Sequence, residues 1–179
     1  TEIIQELAPD ISSVLKCEAE ALLSGIVLDT KNFTIRTGER TFDAGAYLRR
    51  AGADTAEVKK LLQSDLEDTL AKYRILQGAQ IYKGVAIAVP SEVTGRIIAA
   101  KAADELLNIS GVEASIVIAP TAGGGCIASA RSIGEMNMQI IMEKLGGGGN
   151  RSAAAAQLRD VDAPTAREMG LRAIDEYLG

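Results

Sequence analysis

The sequence of 179 residues contains no histidine and only two cysteines, Cys17 and Cys126. Without histidine, the chain cannot build a Ser-His-Asp triad, a Cys-His pair or a His-ligated zinc site from its own residues. The two cysteines lie far apart and form no C-x-x-C pair. A disulfide scaffold is therefore not expected, and a reducing cytoplasm is the default compartment.

Aromatic residues and long apolar runs are also scarce. Aromatics make up 3% of the chain, and 19 Lys+Arg against 24 Asp+Glu give a net charge of −5. A mildly acidic chain with few aromatics is not typical of a protein that binds duplex DNA or an anionic membrane. No apolar run approaches the roughly 18 residues that cross a bilayer, and the N-terminus lacks a signal-peptide pattern. We therefore expect a soluble chain with one or two domains.

One carboxylate near the N-terminus follows a short apolar run. Apolar residues at helical spacing predict a helix over residues 12–23, which leads into the run at 25–28 and then Asp29. A carboxylate at the C-terminal end of a strand is the usual placement for a catalytic or metal-binding group, so Asp29 is a candidate for both roles. The alternative is a cap or turn residue together with Thr30.

The remainder of the chain alternates between predicted helices and strands. A polar stretch from residue 54 that contains several lysines predicts a helical connector. Beyond it, strands are predicted at 85–89, 114–119 and 126–130, with helices at 94–107 and 137–145. An alanine-rich helix is predicted from Arg151, and a final helix with Thr165 and Glu168 as its capping box. Strands that alternate with helices indicate an α/β domain with helices against a small sheet.

Four consecutive glycines, Gly146–Gly149, precede Asn150 and Arg151 and stand between two predicted helices. Successive N–H groups of a glycine turn can converge on an anion, and the N-terminus of a following helix adds positive potential. Asn150 and Arg151 could supply side-chain donors. The alternative interpretation is a plain flexible loop.

A second candidate group, Ser129, Arg131 and Ser132, follows a predicted strand. An arginine between hydroxyl groups suits a phosphate or a carboxylate. A surface arginine in a turn is an equally good interpretation of the spacing alone.

Together, these segments resemble a known family. The sequence Gly-Ile-Val-Leu-Asp-Thr-Lys-Asn-Phe at 25–33, continued by Arg-Thr-Gly at 36–38 and Arg-Thr-Phe at 40–42, resembles the later part of a DHH phosphoesterase domain. The Ser-Ala-Arg-Ser at 129–132 and the glycine run resemble the DHHA1 domain that follows it. These motifs are most similar to those of the GdpP/YybT type of membrane-anchored cyclic-di-AMP phosphodiesterases. The resemblance implies the end of a DHH domain at 1–53, a helical connector at 54–75 and a complete DHHA1 domain at 76–179, with a small mixed sheet flanked by helices.

The resemblance also implies a chemistry. Members of this family hydrolyse cyclic di-AMP to pApA with two metal ions, usually Mn²⁺. By position, Asp29 resembles the last metal-binding aspartate, which would make it both a metal ligand and a catalytic residue. Ser129, Arg131, Ser132, Gly146–Gly149 (that is, Gly146, Gly147, Gly148 and Gly149) and Asn150 resemble the elements that hold the substrate phosphates. Relatives carry N-terminal membrane helices, so the parent protein is expected at the cytoplasmic face of a bacterial membrane, and a homodimer is possible.

Two departures from the family pattern limit this expectation. The Asp-His-His motif and the ligands before it are absent, so we interpret the chain as a fragment that retains no Mn²⁺ pair and no hydrolytic activity. In addition, Asn150 stands where the glycine motif normally ends in histidine. Asparagine still donates a hydrogen bond to a phosphate but carries neither a charge nor a transferable proton. We therefore expect it to bind the ligand more weakly than histidine would.

Two alternative functions remain open from the sequence. The first is a phosphoesterase of the same superfamily that acts on short oligonucleotides or pAp, as the nanoRNases do. The second is a nucleotide-binding module without catalytic activity, in which Asn150 in place of histidine marks the loss of that activity.

Overall fold

The computed structural model describes residues 1–7 and 13–179, and its contacts group them into two compact units, Thr1–Ser64 and Asp65–Gly179. The described helices of the first unit are α1 (Glu2–Leu7), α2 (Lys16–Asp29), α3 (Glu39–Arg50) and α4 (Thr55–Leu61). The helix predicted from residue 12 thus corresponds to α2, although Ser12 itself lies outside the described residues.

The core of the first unit is small and lies between α2, α3 and α4. Leu23, Leu48 and Val58 are almost fully buried and belong to one apolar cluster. The Asp54 side chain caps α4 by accepting a hydrogen bond from the backbone N–H of Ala56 at 2.8 Å. That bond is the main reason why the pKa of Asp54 lies below its ordinary value.

The prediction of a strand end at Asp29 is wrong. Residues 25–28 continue α2, and Asp29 is the last residue of that helix. The N–H of Thr30 closes the helix on the carbonyl oxygen of Ile26 at 2.9 Å. A helix tolerates Gly25 because an interior glycine costs only about 1 kcal/mol relative to alanine. Val27 packs against the core of the first unit, and this burial favours the continued helix.

The second unit is built on one mixed sheet. Its elements are α5 (Leu66–Gln77), β1 (Gln80–Tyr82), β2 (Val85–Ala88), α6 (Arg96–Leu106), β3 (Ala114–Pro120), β4 (Cys126–Ser132), α7 (Met138–Glu143), β5 (Gly148–Gly149), β6 (Ala153–Leu158) and α8 (Ala163–Leu178). The strand order is β1-β2-β3-β4-β6-β5, with β2 and β3 parallel and the other neighbours antiparallel. The α/β class and the small mixed sheet flanked by helices are confirmed. Residues 54–75, expected to be a helical connector, contain α4 and most of α5.

Helices cover the sheet on both faces. On one face, Ile116 packs with Met138 of α7 and Ile174 of α8. On the other, Val117 packs with Ala102 and Leu106 of α6. Neighbouring strand residues point to opposite faces, so Ile116 and Val117 belong to different cores.

The alanine-rich helix predicted from Arg151 is wrong, because Ala153–Leu158 forms β6. Ala154 and Ala156 are buried and alternate with exposed neighbours, as in a strand with one covered face. Small side chains are needed there because the glycine run passes very close. A Cβ added at Gly147 would lie 2.6 Å from the Cβ of Ala156, and one at Gly149 2.8 Å from the Cβ of Ala154.

The last helix begins earlier than predicted. Asp162, and not Thr165, caps α8, and its carboxylate accepts a hydrogen bond from the N–H of Thr165 at 2.9 Å. The predicted apolar face is correct, since Ala166, Gly170 and Ile174 are buried. With 16 residues, α8 is the longest of the described helices, and none of them is both long and apolar enough to cross a membrane.

Candidate functional site

The three side chains of the Ser-Ala-Arg-Ser segment do not converge. Ser129 and Arg131 lie on the face of β4 that α6 partly covers, as their neighbour Ile127 does. Ser132 belongs to the opposite face, where it is buried and its hydroxyl donates to the carbonyl oxygen of Gly134 at 3.4 Å. Strand alternation therefore separates Ser132 from the other two residues.

Arg131 is held against α6. Its Nε lies 3.0 Å from Oδ1 of Asp104, and its Nη1 donates to the carbonyl oxygen of Ala130 at 2.9 Å. The side chain is only 17% exposed. The guanidinium therefore has a carboxylate partner within the fold, and any anion that it binds must share it with Asp104.

The open part of this face contains a cleft of about 230 Å³. Ser129 lies in it together with Gly147 of the glycine run, and Arg96 and Gln157 stand at its edge from α6 and β6. The remaining lining residues are Ile127, Ala128, Ala155 and Ala156. The Arg96 guanidinium donates to Oε1 of Gln157 at 2.9 Å, and this bond fixes the orientation of the Gln157 amide. The fold thus brings together one predicted serine, one predicted glycine, a cation and an amide.

Arg96 and Gln157 are the cleft residues that the sequence analysis missed. Gln157 shares a face with Ala153 and Ala155, but this is visible only once the segment is recognised as a strand and not a helix. Arg96 is the first residue of α6, directly after its N-cap Gly95, and first-turn arginines carry no sequence signal for ligand binding.

Gly148–Gly149 of the glycine run form the short edge strand β5, and the next element after the turn is the strand β6 and not a helix. The predicted contribution of a helix N-terminus is therefore wrong. The N–H of Gly146 donates to the carbonyl oxygen of Glu143 at 3.0 Å and that of Gly147 to Met142 at 2.8 Å. Gly148 and Gly149 pair with β6. The close approach to β6 explains the absence of side chains at Gly147 and Gly149 without any ligand.

Asn150 shapes the turn between β5 and β6. Its Oδ1 accepts hydrogen bonds from the N–H of Ser152 at 3.0 Å, from the Ser152 hydroxyl at 3.1 Å and from the N–H of Ala153 at 2.9 Å. The residue itself is exposed. An asparagine at this position is well suited to close the turn on its own backbone.

Asp29 does not lie in a metal centre within the described part of the chain. Its side chain is 73% exposed and lies 3.5 Å from the Nη1 of Arg36. Residues 1–7 and 13–179 contain no group of three or more histidine, cysteine, aspartate or glutamate side chains arranged to hold a metal ion. The donor set around Asp29 therefore does not fit the pair of Mn²⁺ ions that the family resemblance implies.

Comparison with known proteins agrees with the sequence resemblance. The DHHA1 domain model matches residues 82–179. Over 182 aligned residues the chain is 50% identical to the cyclic-di-AMP phosphodiesterase PdeA of Listeria monocytogenes, covering 98% of this chain and 28% of that protein. It is 44% identical to the cyclic-di-AMP phosphodiesterase GdpP of Bacillus subtilis, with 99% and 28% covered. The chain thus spans little more than a quarter of these curated relatives.

A solved structure supports the fold. An exopolyphosphatase-related protein from Bacteroides fragilis superimposes with a TM-score of 0.84 at 18% identity, covering 98% of this chain and 56% of that one. Since the matched domain model takes in β2 to α8 and more than half of the sequence, this chain belongs to the DHHA1 domain family.

Proposed function

We propose that this chain is the substrate-binding part of a phosphodiesterase that hydrolyses cyclic di-AMP to pApA. The observation that carries the proposal is the cleft on the β4–β6 face, where Arg96, Ser129 and Gln157 surround Gly147. The similarity to PdeA and GdpP over nearly the whole chain supports the choice of a cyclic dinucleotide and its linear product as ligands.

The cleft offers donors of the kind that a nucleotide phosphate needs. Arg96 supplies a positive charge, and the Ser129 hydroxyl supplies a neutral donor beside it. Because Oε1 of Gln157 accepts from Arg96, its amide nitrogen is left to donate toward a ligand. Gly147 has no side chain to obstruct the opening. Arg131 lies two residues from Ser129 on the same face, and a phosphate that binds its guanidinium would compete with Asp104.

Hydrolysis needs more than this chain supplies. Asp29 is one exposed carboxylate beside Arg36, and the described residues 1–7 and 13–179 contain no group of side chains arranged to hold a metal ion with it. We therefore propose that the chain alone binds the linear product and does not turn over cyclic di-AMP.

Calorimetric titration without metal tests the binding role. The chain is expected to bind pApA more tightly than unphosphorylated ApA, because only pApA presents a terminal phosphate to Arg96. Arg96→Gln is expected to weaken pApA binding at least about tenfold, the effect of losing one hydrogen bond to a charged group. Arg172→Gln removes an exposed charge from α8 as the control and should leave the affinity unchanged. Equal binding of pApA and ApA, or no binding of pApA, would contradict the proposal.

A second set of variants tests Arg131 and Asn150. Arg131→Ala is expected to weaken pApA binding by about 1.5–3 kcal/mol, the range for a hydrogen bond to a charged group. Asp104→Asn removes the carboxylate that competes for this guanidinium and should preserve or increase the affinity. Asn150→His restores the residue typical of the family and is expected to strengthen binding. If Arg131→Ala has no effect on affinity, Arg131 does not belong to the site.

A further inference from the structure

The first unit contains a pocket that the proposed function does not use. It has a volume of about 430 Å³ and lies between α2, α3 and α4. Its walls are mainly apolar and include Leu23, Val27, Val58 and Leu62, with Gly45 and Ala46 of α3 at one side. An apolar cavity of this size with a few polar groups at its rim has the character of a small-molecule site.

Two aromatic rings are stacked on each other in the wall of the pocket. The ring centroids of Phe33 and Phe42 are 5.5 Å apart, with 13° between the planes. Phe42 is 58% exposed, a large exposed fraction for a phenylalanine. Phe33 lies against α3, where a Cβ added at Gly45 would be 3.9 Å from its ring. Because Phe42 is the exposed member of the stack, a further planar ring can stack on it.

The segment that carries Phe33 is held in an unusual conformation. Lys31, Asn32 and Phe33 have φ values of 47°, 57° and 62°, which is the left-handed region. This region is unfavourable for side chains larger than glycine, above all for a bulky one such as phenylalanine. The Thr30 hydroxyl secures the turn by accepting from the N–H of Phe33 at 2.9 Å and donating to Ile26 at 2.7 Å. Strained backbone that is fixed in this way is typical of ligand sites.

The charged residues of the pocket have one sign. Arg49 and Lys59 contribute to its lining, and no carboxylate does so among the described residues. Arg49 also donates to the carbonyl oxygen of Ala53, which holds its guanidinium in place. Lys59 is exposed on α4. The neighbouring Lys60, by contrast, points to Glu57, with 2.8 Å between Nζ and Oε1.

We propose that this pocket binds a planar aromatic ring that carries a negative charge. The ring would stack on the Phe33–Phe42 pair and fill the apolar cavity, while Lys59 and Arg49 would pair with the anionic substituent. Such chemistry is found in aryl carboxylates and in nucleoside monophosphates. All residues of this site belong to the first unit, so the inference is independent of the cleft on the sheet.

Binding of three small probes to the whole chain tests the assignment. The probes are 2-naphthoate, its neutral analogue 2-naphthamide and adenosine 5′-monophosphate, and binding is followed by NMR at the amides of Gly45, Ala46 and Thr55. We expect 2-naphthoate to shift these resonances saturably and to bind at least about tenfold more tightly than 2-naphthamide, the gain from a charge-assisted contact. If adenosine 5′-monophosphate shifts the same resonances and competes with 2-naphthoate, the site takes nucleotides as well as aryl carboxylates.

Variants locate the binding. Ala46→Leu places a larger side chain at an exposed helical position in the pocket wall and is expected to abolish 2-naphthoate binding without unfolding the chain. Lys59→Gln should remove most of the preference for 2-naphthoate over 2-naphthamide, whereas Lys60→Gln, the adjacent control, should retain it. No saturable shift at Gly45, Ala46 and Thr55, or binding that survives Ala46→Leu, would overturn the assignment. Arg96→Gln should leave 2-naphthoate binding unchanged, so failure of this site and failure of the sheet cleft are separable.

Discussion

Two neighbouring glycines in the same run have different structural roles. A Cβ at Gly147 would collide with the backbone of β6 at Ala155 and would lie 2.6 Å from both Cα and Cβ of Ala156, whereas one at Gly148 meets nothing within 4 Å. Gly147→Ala is therefore expected to reduce the free energy of unfolding by about 1–3 kcal/mol, the usual cost of overpacking. Gly148→Ala should change it by no more than about 0.5 kcal/mol, as at an open surface position.

Urea denaturation of the two variants beside the parent chain measures this difference. Gly148→Ala is the matched control, because it adds the same methyl group one residue away in the same glycine run. Equal stability of the two variants would show that the run does not lie against β6 as described. A loss of pApA affinity in Gly148→Ala at unchanged stability would instead indicate that the ligand contacts the run directly.

At the scale of single residues, strand alternation decides which of the predicted residues line the candidate cleft. Ser129 was identified from its position next to a strand, and it does line the cleft. Ser132 was identified by the same reasoning but lies on the opposite face, because three positions along a strand reverse the side. Gln157 could not be predicted as a cleft residue, because the face on which it lies depends on whether residues 153–158 form a helix or a strand.

At the scale of secondary structure, the beginning of α8 gives a test of capping. Hydrogen bonds from the hydroxyl and backbone N–H of Thr165 lower the pKa of Asp162 below its ordinary value of 3.8. The stabilisation that follows is complete above that value and is lost as the pH falls through the folded-state pKa. Asp162→Ala is expected to lower the melting temperature at neutral pH, because the N–H of Thr165 loses its acceptor.

Asp162→Asn is the matched control for this prediction. The amide oxygen still accepts the capping hydrogen bond, so the variant should melt near the parent at neutral pH. Its cap does not titrate, so the parent should lose stability relative to Asp162→Asn as the pH is lowered from neutral to below the ordinary aspartate pKa of 3.8. The measurement is the melting temperature of the three proteins across this range. A constant difference between parent and Asp162→Asn would contradict the assigned cap.

Prediction from sequence fails where the intrinsic preference of a segment and its tertiary context disagree. The alanines of β6 favour a helix by themselves. They form a strand because β4 pairs with them on one side and the glycine run on the other, where only small residues fit. By contrast, β3 and β4 were predicted correctly, because two apolar runs separated by a glycine turn are a pattern that neighbouring residues alone make visible. The periodicity of the sequence does not show which distant segments pack against each other.

At the scale of the whole chain, the apolar clusters of the two units share no residue. Leu48 belongs to the cluster of the first unit and Ile116 to a cluster of the second, and both are fully buried. Each cluster is assembled from residues of its own unit. Local stability is therefore expected to differ between the units and to respond to substitutions separately.

Hydrogen exchange of Leu48→Ala and Ile116→Ala tests that expectation. Truncating a fully buried leucine or isoleucine costs about 2–5 kcal/mol, enough to open the unit that contains it far more often. Leu48→Ala should accelerate exchange at the amides of α2 and α3 and leave those of β3 and β4 as slow as in the parent chain. Ile116→Ala should show the reverse pattern, so each variant is the control for the other. If either substitution accelerates exchange to the same extent in both units, the chain opens as one cooperative body, and the division at Ser64 describes contacts without describing stability.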